Sequence, residues 1–418
     1  MLGIIWARPE YGLFLYALAL GFPDLAFPLG DAINIRADDV LLLMLLPRTI
    51  LWTPAPVSPG QRKVFTWQGL FLAACLLSVA VELGRGDTPG TYETAKLIGC
   101  AAILLTLPRL VQSERRLLFF ISGLTYGGIA LVVQMLIRLG SSSSNPYVNI
   151  QELKSAATFS TWNGNTIGQA AVLFVFAAGL GAIILSEGRG SRFLWLCSAM
   201  GFALVPAWMF VRGTSLSLAA GFILFFCLAR RWKLALLFVM VCLAVFLYLR
   251  SSERRLEEDA TQVNLTTGEG LSHRFERWDV AFQGIRAKPT FGHGFGQEWN
   301  YLSLLGSEGR AHNAYLTAWL ELGLGGLLLF LAATFQFVRT GLSLYKDPRF
   351  RLRGALILSL TAALGIDSLG LPTLYWEKLP TIALALAIVV IGVSERKASE
   401  IAQSDALRFV FEPISPQL

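Results

Sequence analysis

All three histidines of this 418-residue chain, His273, His293 and His312, fall within or at the exit of one polar interval, Arg250 to Ala311. His312 stands in Ala311-His312-Asn313-Ala314-Tyr315-Leu316, where a long apolar run opens. On the N-terminal turn of that helix the macrodipole disfavours the imidazolium form. A neutral imidazole is what a general base needs near pH 7, and such a base contributes about 10²- to 10⁴-fold. An interfacial helix cap explains the same position equally well. Arg212 is the only charged residue between Phe193 and Ala229, a stretch long enough for two membrane spans with a turn at Arg212-Gly213-Thr214-Ser215. An arginine at membrane depth costs about 2.5 to 3.5 kcal/mol, so it faces a cavity or a partner, or else snorkels to the surface. Arg274, inside the polar interval, adds a second guanidinium fork. Two forks on the side of His312 suit a phosphate or diphosphate, which they grip bidentately.

The elements that must position these residues follow from composition. With 54% hydrophobic and 15% charged residues and a mean hydropathy of +0.57, the chain has too little polar surface for a soluble globule. It reads as an all-α polytopic membrane protein. Roughly twelve runs approach the length that crosses a bilayer: 10-28, 38-53, 66-83, 92-108, 116-139, 166-185, 193-210, 214-230, 232-249, 312-338, 353-369 and 377-393. The second and fourth are short, so 11 or 13 spans also fit the pattern. Lysines and arginines concentrate in alternate short loops, at Arg62-Lys63, Arg109/Arg115/Arg116, Arg230/Arg231/Lys233 and Arg349/Arg351/Arg353. By the positive-inside rule both termini are cytoplasmic and the polar interval faces out. The net charge of +7 is thereby a matter of topology, and no basic run suggests nucleic acid.

The resulting organisation is nine or so spans over 1-249, an outward loop over 250-311, about three spans over 312-394, and a polar tail over 395-418. The first apolar run has no small-residue cleavage site and reads as an uncleaved span. Cys75, Cys100, Cys197, Cys227 and Cys242 all lie in spans without paired or metal-type spacing, which argues against disulfides and cysteine metal sites. Gly140 to Asn165, opening on four serines, reads as a flexible loop.

Within the outward loop, residues 250-270 are charged and irregular. From Ser272 the spacing of Phe275, Trp278, Phe282 and Ile285 predicts a helix with one apolar face, lying on the outer membrane surface. Lys288-Pro289 ends it, Phe291-Gly292-His293-Gly294-Phe295-Gly296 forms a glycine-rich turn, and Trp299 to Leu305 dips back toward the interface. Trp278, Trp299, Tyr301 and Tyr315 could stack on sugar rings, although interfacial aromatic belts account for most such residues. Arg277, Arg286, Lys288 and Arg310 are solvated charges by default, with Arg277 also a candidate substrate contact. His293 is better placed between glycines than His273 to approach a substrate. Glu93 and Lys96, at i and i+3, form a surface ion pair in the plain reading, and Asp367 is a weak site candidate. No His/carboxylate cluster has metal-ligand spacing, and His293 with Glu298 is the one arrangement that keeps a metal open.

An arginine-bearing helix with Trp278 four residues after Arg274, then Pro289, the glycine-rich turn, His312-Asn313-Ala314-Tyr315-Leu316 and Glu321-Leu322-Gly323 together resemble the O-antigen ligase and polymerase superfamily. The resemblance covers about 270-330, with weaker echoes at Asn163-Gly164-Asn165 and Arg212-Gly213. Val211 stands where the family often has serine. The resemblance implies a GT-C-like glycosyltransferase of the bacterial inner membrane, its long loop periplasmic. It implies a glycan donor carried on undecaprenyl diphosphate and an acceptor hydroxyl on lipid A-core, or on another lipid-linked repeat for a polymerase. A metal is not demanded, since two arginines can do the electrostatic work, and no cofactor is expected. His312 resembles the family's essential histidine, and Arg212 and Arg274 its diphosphate-binding arginines. Asn313, Tyr315, Trp278, Arg277 and His293 fall in the same motifs as candidate substrate contacts. Ligase is the first expectation, polymerase the second, and a non-enzymatic transporter a distant third. The sequence does not fix the oligomeric state, and a monomer is compatible with it.

Overall fold

A computed structural model describes residues 8-28, 34-51, 57-84, 91-141, 162, 164-185, 189-208, 211-240, 269-305, 310-371 and 377-411. In chain order the elements are α1 (Pro9–Ala19), β1 (Ala26–Pro28), β2 (Asn34–Arg36), α2 (Ala37–Leu51), α3 (Pro59–Gly84), α4 (Thr91–Leu110) and α5 (Glu114–Ser141). They continue with α6 (Gly164–Ile184), α7 (Arg189–Trp208), α8 (Arg212–Leu228), α9 (Glu269–Ala287), α10 (Glu298–Leu304), α11 (Ala314–Lys346), α12 (Arg351–Asp367) and α13 (Lys378–Phe411). Among the described residues, α3, α5, α6, α11 and α13 are long and apolar enough to cross a membrane, and α7 and α8 carry shorter apolar stretches. The chain is an all-α membrane protein apart from one hairpin.

That hairpin corrects the run 10-28. The helix stops at Ala19, and Ala26–Pro28 pairs antiparallel with Asn34–Arg36. Gly21 and Pro23 account for the early stop, because proline has no N–H to give the Ala19 carbonyl and continue the helix. The span expected at 232-249 is helical through 232-240, and its remainder lies outside the described residues, as do 142-161 and the 250-268 part of the outward loop.

The centre of the bundle is α13. From Ile382 to Ile391 every residue is buried, the signature of a helix that is apolar all round because protein surrounds it. With no solvent to drive apolar faces together in lipid, close backbone approach does much of the holding. On α5, Gly123 and Gly127 admit α1: a Cβ on Gly123 would stand 2.5 Å from the Phe14 carbonyl oxygen.

The ends of the bundle differ. One gathers the starts of α2, α4, α8, α11 and α13 with the end of α12, as shown by the Lys378–Asp38 and Lys378–Asp39 pairs, Lys96–Glu377 at 2.8 Å and Ala314 N–H to Ser368 O at 2.9 Å. The other gathers the starts of α3, α5 and α12, where Arg353 and Lys397 share Glu114. Helices α9 and α10 pack on the first end through a small separate core of Ala281, Ile285, Leu302, Ala311, Leu316 and Leu320.

Helix α11 is broken at Gly323, whose φ of 71° is left-handed. The glycine-rich turn enters the break. Leu320 O accepts from His293 N–H (2.8 Å), Glu321 O from Gly294 N–H (2.9 Å), and Leu324 N–H donates to Pro289 O (2.9 Å). Backbone groups freed by the kink are thus satisfied by the loop, as buried peptide groups must be. A Cβ on Gly323 would stand 2.1 Å from Thr290 O, so only glycine fits.

Candidate functional site

His312 sits just ahead of α11, not on its first turn, and takes a left-handed φ of 52°. Such a conformation costs a non-glycine residue about 1 to 3 kcal/mol unless its surroundings hold it, and here both flanks are held. Before it, Ala311 N–H donates to Glu298 Oε1 (2.9 Å) and Ala311 O accepts from Trp278 Nε1–H (2.8 Å). After it, the Asn313 carboxamide oxygen caps α11, accepting from Tyr315 N–H (3.0 Å) and Leu316 N–H (3.2 Å). Glu298 is 3% exposed and also accepts from Thr317 Oγ1–H at 3.0 Å. Burial raises its pKa.

The His312 imidazole is half-buried, and its pKa falls to about 4, first through burial and then through the charges of Arg277, Arg274 and Arg310. Arg274 and Arg277 are half-buried on one face of α9 at i and i+3. Neither has a carboxylate partner among the described residues. Arg310 is different: it pairs with Glu93, which more than offsets the cost of burial and raises the arginine's pKa. The default reading of Arg310 as solvated charge is therefore corrected. Glu93 also meets Lys96 at 3.3 Å, as the spacing predicts, and Lys96 goes on to Glu377. A chain of ion pairs thus ties the exit of the loop to α4 and α13.

The start of α8 reaches the same place. Arg212 is its first residue, so the interhelical turn precedes it instead of containing it. Its side chain lies outside the described residues. Thr214 Oγ1–H donates to Asp367 Oδ1 at 2.9 Å, with Asp367 2% exposed. Residues 367-370 in turn contact both α11, through Ser368, and α9, since a Cβ on Gly370 would stand 3.1 Å from Arg274 Nη1. Asp367, weak as a sequence candidate, is the buried link between α8 and α12.

Other sequence candidates have settled partners. His293 Nε2–H donates to Gly284 O (2.8 Å), its ring lies 3.9 Å from that of Tyr301 at a tilt of 37°, and burial lowers its pKa. Tyr315 donates its hydroxyl to Gly365 O at 3.0 Å. Trp278 orients the Ala311 carbonyl, and Asn313 is a cap. These four hold the site's frame. Among the described residues no group of three or more His, Cys, Asp or Glu side chains converges as a metal site. Glu298 and Thr317 are what sequence reasoning missed as partners of the His312 bend. Their contacts run to backbone 13 residues away and to each other across 19, and no periodicity marks such pairs.

Fold and site together define a helical membrane protein with an arginine-walled, neutral histidine at one end of its bundle. Residues 196–331, about a third of the chain, match the family model described as O-antigen ligase. The match supports the O-antigen ligase and polymerase superfamily, whose members are glycosyltransferase-like membrane enzymes. No curated protein matches the chain.

Proposed function

We propose that the protein is an O-antigen ligase that moves a glycan from undecaprenyl diphosphate to a sugar hydroxyl of lipid A-core. The observation that carries this reading is His312, neutral and half-buried, under the charges of Arg274 and Arg277, which have no carboxylate partner among the described residues. Arg274 and Arg277, with Arg212 from the start of α8, hold the diphosphate and stabilise its developing charge. His312 takes the proton of the attacking hydroxyl. That oxygen bonds to the anomeric carbon as the bond to diphosphate breaks, so the configuration inverts and undecaprenyl diphosphate leaves. Diphosphate is a good leaving group and needs no general acid.

A pKa near 4 makes His312 a weak base in the free protein. Bound diphosphate neutralises the nearby arginines, so its pKa rises toward the ordinary range when the donor is in place. An apolar cavity of about 340 Å³ among α6, α7, α8 and α12 supports a lipid-carried donor. It runs from Leu218 and Ala363, one turn from Thr214 and Asp367, to Arg231 and Leu352 toward the far end.

The protein belongs, in this reading, to the bacterial inner membrane with both termini cytoplasmic. About twelve spans carry the chain across, and residues 250-311 form a periplasmic loop with short helices. The test is genetic. Deletion of a ligase leaves long polymerised glycan on the carrier and none on lipid A-core. Single repeats on lipid A-core would instead make the protein a polymerase, and unaltered lipopolysaccharide would sink both.

A further inference from the structure

A second site lies at the far end of the bundle. Between the start of α3, the end of α11 and Glu395 of α13 runs an open groove of about 380 Å³, lined by Lys63, Arg339 and Lys346. None of the three cations has an ion-pair partner among the described residues. The acid on the wall, Glu395, is engaged through Oε2, which accepts the Gly60 N–H at 3.0 Å.

What leads into the groove matters as much as its charge. On α11 the exposed residues Leu324, Leu328, Leu331 and Phe335 follow one another at spacings of four and three, and the same stripe continues through Arg339, Leu342 and Lys346. On α3 the exposed stripe is Lys63, Trp67, Leu70, Leu77 and Val81. Both helices are therefore apolar outward over several turns and then cationic, and both turn cationic at the groove. Beyond the break at Gly323, Lys346 lies 22 residues from Leu324, about 33 Å along a helix at 1.5 Å per residue. That separation exceeds the hydrocarbon core of about 30 Å, so the groove sits at the polar interface opposite His312.

We propose that this groove binds an anionic phospholipid, its phosphate held by Lys63, Arg339 and Lys346 and its acyl chains lying along the α3 and α11 stripes. Basic pockets between membrane helices select anionic head groups in this way. A diffuse positive-inside charge would need neither a groove nor apolar stripes that end in it. The site is separate from the glycosyl-transfer site, and a lipid there stabilises the packing of α3 against α11.

The test is lipid binding by the full-length protein in detergent, read by native mass spectrometry with phosphatidylglycerol or phosphatidylcholine added. Phosphatidylglycerol is expected to bind at least tenfold more tightly, and Lys63→Gln/Arg339→Gln/Lys346→Gln to abolish that preference while keeping helix content. Arg115→Gln, an exposed cation at the same end, is expected to keep it. Glycerol phosphate, the head group without chains, is expected not to compete. Equal binding of the two lipids, equal loss in the triple and Arg115→Gln variants, or full competition by glycerol phosphate would each overturn the proposal. Should the triple variant misfold, Arg339→Gln alone, expected to weaken phosphatidylglycerol binding severalfold, decides the matter.

Discussion

Both ends of the bundle hold half-buried cations, but at the site end two of them, Arg274 and Arg277, act on a histidine. At the far end Arg353, 8% exposed, pairs with Glu114, hydrogen-bonds Ser394 at 3.2 Å, and shares its carboxylate with Lys397. At the site end Arg274 and Arg277 are half-buried and lower the pKa of His312, while two nearby acids are committed elsewhere: Glu93 to Arg310 and Lys96, Glu298 to Ala311 and Thr317. Withdrawing a charge from water without a partner is unfavourable. A fold that does so twice beside one histidine has left room for an anion, whereas the Arg353 network is complete and structural.

The largest expected effect comes from removing the base. His312→Ala is expected to lower the turnover of purified protein by about 10²- to 10⁴-fold, with donor binding unchanged. Undiminished transfer would remove the general-base role and leave the arginine cluster as a binding site alone.

Next comes the fork. Arg274→Lys keeps charge and loses bidentate geometry. Charge-assisted hydrogen bonds are worth about 1.5 to 3 kcal/mol, so donor affinity is expected to fall by roughly one to two orders of magnitude. Arg353→Lys, the matching change at the far end, is expected to lower the melting temperature without changing donor affinity. If both variants behaved alike, the contrast between the two ends would collapse.

A smaller effect is expected from the clamp. Glu298→Ala removes the acceptor that holds the Ala311 N–H, and turnover is expected to fall about tenfold as the His312 bend relaxes, with less change in donor KM, since a misplaced catalytic group costs mainly the chemical step. Glu298→Gln keeps an oxygen acceptor and is expected to restore most of the activity. Equal inactivity of the two variants would point to a need for the carboxyl proton instead.

How much of this was legible in the sequence varies by region. The loop helix was readable because Trp278 and Ile285 recur at helical spacing and Pro289 follows its end. Its face toward α11 was not: Ala281 and Gly284 meet that helix, while Phe275 and Phe282 are 55% and 40% exposed. Small residues that let helices approach closely carry no hydrophobic period. Glu321-Leu322-Gly323 was visible as a motif, but the break at Gly323 was not, because an apolar run reads as one span whether or not a loop enters it. His312 stood out through residue type and position, whereas the charges that set its pKa come from residues 35 and 38 earlier in the chain, Arg277 and Arg274.

The finest distinction between the two ends lies in pH dependence. In the free protein His312 is held near 4, first by burial, then by Arg277, Arg274 and Arg310. Protonation disables a base, so activity is lost as pH falls through this value. The acid limb of kcat/KM reports the free enzyme, and that of kcat the donor complex. Diphosphate cancels part of the positive field in the complex, so the kcat limb is expected at higher pH than the kcat/KM limb. At pH 5 turnover then drops severalfold while kcat/KM holds. Arg277→Gln is expected to raise the kcat/KM limb only part of the way, since burial remains, and Arg353→Gln at the far end to leave both limbs in place. Coincident limbs in the unaltered protein would mean that the arginines do not exchange their charge with the donor, and Arg274 and Arg277 would lose their assignment to the diphosphate.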